Sequence, residues 1–198
     1  QRQMCIRDRL VDCGAKPTSN RNEVQPFFAA PEMLPLDNID AVVITHAHVD
    51  HIGMLPVLFR FGYKGPVYCT QPTRDLMTLL QMDYIKVAQA EGNEAPYSKS
   101  DIQECIKHVV DVNWGEKTDI APDIKMTMEN AGHILGSSSV YMQIGEGRDE
   151  HKLLFSGDIK YEKSWLFDAA TVRFNKVDTL VIESTYGGPQ SIQPTRQQ

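Results

Sequence analysis

The sequence predicts an α/β fold built in layers, and two observations lead to that prediction. Short apolar segments of strand length alternate with segments of helical periodicity in the first half of the chain, and the second half is rich in strand-like segments. The length of 198 residues is enough for one domain with a substantial core. No apolar run approaches the roughly 20 residues that a membrane-spanning helix needs, so we expect no membrane association.

Seven segments are predicted to form strands because they are short, apolar and bounded by turn-forming residues. The segment Asp40–Thr45 is apolar on both faces, which is typical of a fully buried strand. Turns are predicted at Asp119–Asp123 and at Gly145–Gly147. In chain order the predicted strands are Leu10–Cys13, Asp40–Thr45, Val67–Thr70, Ile124–Met128, Ser139–Ile144, Leu153–Ser156 and Thr179–Ile182.

A long helix is predicted between the third and fourth of these strands. Thr73 has the position of an N-cap, the helical pattern continues to about Ala90, and Gly92 ends it. The residues expected on its apolar face are Leu76, Leu80, Tyr84 and Val87.

Three shorter segments carry weaker helical patterns. Ile52–Phe61 is predicted to be a short helix that Gly62 closes. Ser100 and Gln103 have the spacing of a capping box ahead of a further helix. Val24–Glu32 is predicted to be a loop or a short helix that prolines interrupt.

Composition and charge restrict the class of protein. Hydrophobic residues make up 41% and charged residues 23% of the chain, which is ordinary for a globular protein. The four cysteines form no CxxC pair, which favours a reduced, cytoplasmic protein with buried or incidental thiols. A formal charge of −6 argues against a nucleic-acid-binding surface. However, cations bound to acidic metal ligands would reverse the local electrostatic field that those acids create.

The segment THAHVDH, which follows the predicted strand Asp40–Thr45, contains the strongest functional pattern. Three histidines and an aspartate fall within six residues: His46, His48, Asp50 and His51. Crowded imidazoles repel one another when protonated, so such a cluster is costly unless something binds it. Zinc takes neutral imidazole nitrogen and carboxylate oxygen at about 2.0–2.2 Å. The pattern predicts a zinc site rather than a polar loop of surface histidines, with His46 and His48 pointing the same way from the strand end.

Four more residues of ligand type lie in turns or at strand ends: His133, Asp158, Asp12 and Glu183. Gly132 and Gly136 flank His133 and allow the backbone to turn sharply there. Taken singly, each residue has an ordinary interpretation, as a structural histidine, a turn carboxylate or a solvated acid at a strand end. Their functional importance depends on the set.

As a set, these residues resemble the metal-binding pattern of the metallo-β-lactamase superfamily. That resemblance implies an αβ/βα sandwich of four layers, in which two sheets face each other, helices cover the outside and metals lie at one edge. From Leu10 to about Gly188 the chain is further similar to the β-CASP ribonucleases, and among them to archaeal proteins related to the cleavage and polyadenylation specificity factor. The segments that carry this likeness are Thr45–Gly53, Gly62–Tyr68, Pro72–Asp75, Ala131–Ser137 and Glu183–Gly187.

The resemblance implies that six residues bind two Zn²⁺ ions: His46, His48, Asp50, His51, His133 and Asp158. Asp50 and His51 correspond to ligands of the second ion, Asp158 to the carboxylate that bridges both, and the remaining three histidines to ligands of the first.

Two further acids have supporting roles in the family. Asp12 corresponds to an acid that orients a metal-bound histidine from outside the ligand set, and such partners fix the tautomer of the ring. Glu183 corresponds to the acid that supports a histidine of the β-CASP domain. The expected catalytic residues are Asp50, His51, Asp158 and Glu183.

The resemblance also predicts how the chain divides. Residues 1–9 lack apolar periodicity and are predicted to be a non-native leader. Residues 10–188 correspond to the first part of the metallo-β-lactamase domain, and residues 189–198 to the truncated start of a β-CASP region. The further ligand histidines, the RNA-binding KH domains and the returning part of the first domain are expected outside this chain.

The activity that the resemblance implies is zinc-dependent hydrolysis of RNA phosphodiester bonds in 3′-end processing or transcription termination, by endonuclease cleavage with 5′–3′ exonuclease cleavage as an additional mode. Two zinc ions about 3.5–4 Å apart suit this reaction because they activate water and neutralise phosphate charge. RNA, RNA polymerase and other RNA-processing factors are the expected partners, with a homodimer formed through regions outside the chain. Thioester hydrolysis, DNA hydrolysis and a non-catalytic subunit remain alternatives, and the intact ligand set favours an enzyme.

Overall fold

The computed structural model describes residues 8–16 and 34–188 as nine strands and four α-helices. The strands are β1 (Asp8–Val11), β2 (Ile39–Val43), β3 (Val67–Cys69), β4 (Val109–Asp111), β5 (Lys117–Ala121), β6 (Ile124–Asn130), β7 (Ser138–Ile144), β8 (His151–Phe155) and β9 (Thr179–Val181). The helices are α1 (Val49–Ile52), α2 (Leu55–Arg60), α3 (Gln71–Ala90) and α4 (Lys99–Lys107). The segment predicted at Val24–Glu32, the thiol of Cys5 and residues 189–198 lie outside the described residues.

The strands form two sheets. The first has the order β1-β2-β3-β4 and is parallel throughout, because helices connect its later strands. The second has the order β5-β6-β7-β8-β9, antiparallel as far as β8 and parallel between β8 and β9. Strands β6, β8 and β9 therefore run in the same direction, and their carboxyl ends meet at one edge.

Strand β2 is buried on both faces because it lies between two apolar cores. Val42 belongs to the core that the first sheet forms with the helices, whereas Val43 belongs to the core between the two sheets. Successive side chains of a strand point to opposite faces, so one strand serves both cores.

The described residues form three layers: the helices, the first sheet and the second sheet. Each helix places apolar side chains in the first core, including Ile52, Leu58, Met77 and Ile102. The predicted α/β layered architecture is thereby confirmed. Over residues 8–16 and 34–188, no helix is both long and apolar enough to cross a bilayer.

The single helix predicted at Ile52–Phe61 is wrong, since two short helices, α1 and α2, occupy this region. Gly53 is the C-cap of α1, and Pro56 lies in the first turn of α2. Proline has no backbone N–H and cannot continue a helix through its own position, but it is well tolerated in a first turn. The chain therefore ends one helix and begins another.

Helix α3 ends at Ala90 as predicted, but it begins three residues earlier, because its N-cap is Thr70 and not Thr73. The Thr70 backbone is extended, and its hydroxyl accepts a hydrogen bond from the backbone N–H of Thr73 at 3.4 Å. Pro72 then falls in the first turn, where its missing N–H costs nothing.

The apolar face predicted for α3 is also displaced. Its buried residues are Thr73, Met77, Gln81 and Ile85, while Val87 is 49% exposed and the other predicted face residues pack only at the margin of the core. The two polar residues on the buried face each donate a side-chain hydrogen bond to a backbone carbonyl. Thr73 donates to the carbonyl of Gly136 at 3.1 Å, and Gln81 donates to that of Ile52 at 3.1 Å.

The capping box predicted at Ser100 and Gln103 lies two residues too late. Ser98 is the N-cap of α4, and its hydroxyl accepts from the N–H of Asp101, whose carboxylate accepts from the N–H of Ser98 at 2.7 Å. The pattern of Ser98 followed by Asp101 satisfies two free N–H groups of the first turn.

The second sheet begins earlier than predicted. Strand β5 occupies most of the turn predicted at Asp119–Asp123, and only Pro122 and Asp123 turn. Its polar side chains are mostly exposed, and the strand forms because it pairs with β6. Strand β4, at Val109–Asp111, was not predicted because three residues carry too little periodicity.

Candidate metal centre

The candidate metal centre lies where strand ends from both sheets meet. The segments that follow β1 and β2 come from the first sheet, and those that follow β6, β8 and β9 come from the second. A backbone hydrogen bond from Ser138 to the carbonyl of Thr45, 2.8 Å long, joins the two sides. This placement brings residues that are distant in sequence to one edge of the fold.

His46 and His48 lie in the connection from β2 to α1. His46 is completely buried, and His48 is the N-cap residue of α1, with its carbonyl accepting from the N–H groups of His51 and Ile52. The turn into a helix immediately after the strand makes the four polar residues of this segment face the same region.

His133 lies in a tight turn between β6 and β7. Gly132 has φ +71°, and a Cβ there would lie 2.5 Å from the carbonyl oxygen of Lys160, so glycine is required. The hydroxyl of Ser137 accepts from the N–H groups of His133 and Ile134, each at 3.1 Å. These bonds hold the turn and set the direction of the His133 ring.

Asp158 follows β8 by a short connection through Gly157. Gly157 has φ +56°, and a Cβ on it would lie 2.9 Å from the Cβ of Thr45. The backbone therefore passes directly beside the β2–α1 connection, and the Asp158 carboxylate lies among the histidines with its side chain 25% exposed.

Four donor atoms converge around one point, within 4.8 Å of one another: those of His46, His48, His133 and Asp158. His48 Nδ1 lies 3.0 Å from His46 Nε2 and 3.2 Å from His133 Nε2. Asp158 Oδ2 lies 3.7 Å from His46 Nε2 and 3.4 Å from His133 Nε2. Tetrahedral zinc with bonds of about 2.0–2.1 Å separates its donors by about 3.3 Å, so these residues fit a zinc ion.

The protonation of this set also suits a cation. Burial, together with the charges that His51, His48 and His133 would carry, lowers the pKa of His46 to about 2. Burial likewise lowers the pKa of His133, against the opposing effect of Asp158. Both rings are therefore neutral at pH 7, which is the form that binds a metal.

A second and more open set lies on the other side of Asp158. His51 Nε2 is 3.4 Å from Asp158 Oδ1 and 3.8 Å from Asp50 Oδ2. The Asp50 side chain is 45% exposed, and that of His51 is 18% exposed. Asp158 thus faces the first set with one carboxylate oxygen and His51 with the other.

Asp12 supports His51 from behind. His51 Nδ1 donates to Asp12 Oδ2 at 2.7 Å, which leaves Nε2 directed towards Asp158. Burial alone would lower the pKa of His51, but the hydrogen bond to Asp12 and the nearby carboxylates raise it.

The backbone of Asp12 is unusual. Its φ of +62° is the only positive value at a non-glycine residue in the described part of the chain. Aspartate tolerates the left-handed region better than most residues. Hydrogen bonds from its own N–H to Val43 and from the N–H of Cys13 to His51 hold it there.

Glu183 lies at the rim of the centre, after β9. Its carboxylate accepts from the N–H of Ile159 at 3.0 Å and from that of Thr185 at 3.2 Å. Burial opposes ionisation, but these hydrogen bonds and the nearby His133 lower the pKa of Glu183 below its usual value. In this structure Glu183 holds the backbone next to Asp158.

Gly14 is a site residue that the sequence did not indicate. A Cβ on Gly14 would lie 1.5 Å from the carbonyl oxygen of Asp50, so only glycine allows the segment after β1 to pass this close. His108 and His151 lie elsewhere: His108 is 3.5 Å from Glu104, and His151 is hydrogen-bonded to Thr179.

Comparison with known proteins defines the class. The family model described as "Beta-lactamase superfamily domain" matches residues 7–196, so the chain belongs to this superfamily, and the predicted family and sandwich fold are confirmed. Among solved structures, the chain is similar to the Rm3 metallo-beta-lactamase, with a TM-score of 0.48 and 18% identity, over 81% of this chain and 55% of that one.

Sequence relatives are more similar. The proteins named "Transcription termination factor FttA" from Methanosarcina mazei and Methanococcus maripaludis are 51% and 52% identical to this chain and cover 93% and 94% of it. That from Thermococcus kodakarensis is 48% identical and covers 96%. The chain spans 29% of the length of the first two relatives and 30% of the third.

Proposed function

We propose that this chain is the metal-binding part of a zinc-dependent ribonuclease that hydrolyses RNA phosphodiester bonds in transcription termination or RNA 3′-end processing. The observation that carries the proposal is the convergence of three histidines and one aspartate within 4.8 Å. Relatives that are about half identical are named as transcription termination factors, which favours RNA over a small-molecule substrate.

The proposed metal ligands form two groups, one near each carboxylate oxygen of Asp158. His46, His48 and His133 would hold a first Zn²⁺, Asp50 and His51 would hold a second, and Asp158, which lies between the two sets, would serve both. The first set has the spacing that a tetrahedral ion requires. The second has fewer donors among the described residues and is more exposed, which suits the side on which the substrate binds.

Bound zinc supplies activation of water at neutral pH and neutralisation of phosphate charge. The chain's own residues prepare the site for this chemistry. Asp12 holds the proton of His51 on Nδ1, which leaves Nε2 free to bind. Glu183 accepts from Ile159 and so fixes the direction from which Asp158 enters the centre. We propose Asp50, His51, Asp158 and Glu183 as the residues nearest the reaction.

The division into domains, the substrate, the partners and the mode of cleavage are part of the same proposal. Residues 10–188 are the first part of the metallo-β-lactamase domain, and residues 189–198 begin a β-CASP region. RNA is the substrate, RNA polymerase and RNA-processing factors are partners in the cytoplasm, and dimerisation uses regions outside this chain. Cleavage is internal, with 5′–3′ trimming as a second mode.

The test is RNA cleavage by the full-length protein carrying His48→Ala or Asp50→Ala. Each change removes a proposed ligand, so we expect cleavage of an end-labelled single-stranded RNA to fall by at least about 100-fold, since loss of partners outside the ligand set already costs 10–100-fold. RNA binding, measured by mobility shift, should stay nearly unchanged.

The matched control is His151→Ala, because this exposed histidine lies outside the centre and should leave cleavage unchanged. Undiminished cleavage by either ligand variant would refute the assignment. An unchanged protein that cleaves DNA or a thioester but not RNA would favour another hydrolase of this superfamily.

A further inference from the structure

The Thr45 hydroxyl lies between the Asp12 carboxylate and the His46 ring. Its Oγ1 is 2.8 Å from Asp12 Oδ2 and 3.0 Å from His46 Nδ1. Thr45 is 1% exposed and His46 is 0% exposed, so these contacts are shielded from solvent. The backbone N–H of Thr45 also donates to Asp12 Oδ1 at 2.8 Å, which holds the carboxylate in place.

The number of hydrogen atoms that each group can donate fixes the direction of both hydrogen bonds. An ionised carboxylate only accepts, and a threonine hydroxyl has a single hydrogen to donate. The hydroxyl of Thr45 therefore donates to Asp12 and must accept from His46. His46 can donate only if Nδ1 carries the proton, which leaves the lone pair on Nε2, the atom that faces His48 and Asp158.

The Asp12 carboxylate thus fixes the tautomer of two histidines, one directly and one through Thr45. Asp12 Oδ2 accepts directly from His51 Nδ1 at 2.7 Å and receives the Thr45 hydroxyl that accepts from His46. Both rings hold their proton on Nδ1 and direct Nε2 to opposite oxygens of Asp158, at 3.7 Å for His46 and 3.4 Å for His51.

We propose that Thr45 is a positioning residue that transmits the orienting effect of Asp12 to His46, fixing the tautomer in which Nε2 binds the first metal. The inference rests on the metal centre proposed above. A second observation supports it: a Cβ on Gly157 would lie 2.9 Å from Thr45 Cβ and 3.1 Å from Oγ1. Glycine at position 157 therefore leaves room for the Thr45 hydroxyl, which a side chain there would displace.

The test compares Thr45→Val with Thr45→Ser in the full-length protein. Valine has a similar shape without the hydroxyl, and serine keeps the hydroxyl. We expect Thr45→Val to weaken zinc binding about 10–100-fold, measured by competition with a chromophoric chelator, and to change the visible spectrum of the Co²⁺-substituted protein. Thr45→Ser should retain the affinity and the spectrum of the unchanged protein.

Thr118→Val is the matched control. The hydroxyl of Thr118 is buried and has no hydrogen-bond partner among the described residues, so its removal should change neither zinc affinity nor the Co²⁺ spectrum. If Thr45→Val does not fold, as judged by circular dichroism, Thr45→Ala takes its place.

Two results would overturn the proposal: unchanged zinc affinity and Co²⁺ spectrum in Thr45→Val, or a loss in Thr45→Ser as large as that in Thr45→Val. Both measurements are made without RNA. A protein that binds zinc but cuts no RNA would contradict the proposed function, while the role of Thr45 would still be decided by its zinc affinity. A protein that binds no zinc would contradict both.

Discussion

Three glycines allow the segments around the candidate metal centre to pack closely together. Gly14 lies against the backbone of Asp50, and Gly157 lies against Thr45. Gly132 adopts φ +71° where the turn that carries His133 packs against the backbone at Lys160. In each case the absent Cβ allows two segments to approach closely enough for polar side chains to share one site.

We predict that Gly14→Ala destabilises the protein because its Cβ would lie 1.5 Å from the carbonyl oxygen of Asp50. Backbone atoms cannot move aside as a flexible side chain can, so the free energy of unfolding should fall by about 3 kcal/mol or more. Urea unfolding of the full-length protein followed by circular dichroism measures this loss.

Gly115→Ala is the control for that substitution. Gly115 has φ +75° and no atom within 4 Å of an added Cβ, so this change imposes backbone strain without a clash, and about 1 kcal/mol is expected. Equal losses in the two variants would show that close approach at Gly14 is not what constrains the chain.

At the scale of elements, hydrogen bonds at the ends decide where helices begin. Helix α3 begins after Thr70 and α4 after Ser98, since these residues have extended backbones and hydroxyls that accept from the first turn. The break between α1 and α2 follows from Pro56. A periodic pattern locates a helix, but its boundary depends on which candidate cap adopts the extended conformation.

We predict that Ser98→Ala lowers the free energy of unfolding by about 1 kcal/mol, because the capping box of α4 is lost. Ser100→Ala should cost about 0.5 kcal/mol or less, since the exposed hydroxyl of Ser100 contacts that of Ser98 at 2.7 Å but caps no backbone N–H. Urea unfolding of both variants decides between the two serines. A larger loss for Ser100→Ala would place the cap where the sequence pattern first suggested it.

At the scale of the whole molecule, the proposed ligands come from both sheets. His46, His48 and His51 follow a strand of the first sheet, while His133 and Asp158 follow strands of the second. An ion bound there would therefore link the two sheets at one edge, beside the core that already joins their faces. Binding energy at such a site becomes folding energy.

We predict that removing metal from the full-length protein lowers its Tm and that adding Zn²⁺ restores it. At a free zinc concentration about 100 times Kd, the folded state gains about 2.7 kcal/mol. Differential scanning calorimetry after chelation and after addition of Zn²⁺ measures the change. His151→Ala should respond in the same way, and His48→Ala should respond weakly. An unchanged Tm after zinc is removed would contradict the prediction that a bound metal ion stabilises the contact between the two sheets.

The sequence by itself determined the fold class and the list of candidate ligands. Apolar segments of strand length indicated the sheets, and the dense histidine pattern after β2 indicated a metal site, because few other arrangements tolerate so many ligand groups together. The resemblance to a known family added His133, Asp158, Asp12 and Glu183, whose individual settings are ordinary. These inferences depend on local composition and spacing, which a sequence contains.

Only the tertiary structure decided which atoms face one another. The separation of His48 Nδ1 from His133 Nε2, and the link from Asp12 through Thr45 to His46, depend on how two sheets pack. The buried face of α3 was predicted wrongly for the same reason, since Thr73 and Gln81 are buried by partners in other segments. Contacts between segments far apart in the chain leave no periodic pattern in either segment, and such contacts set both the packing and the site.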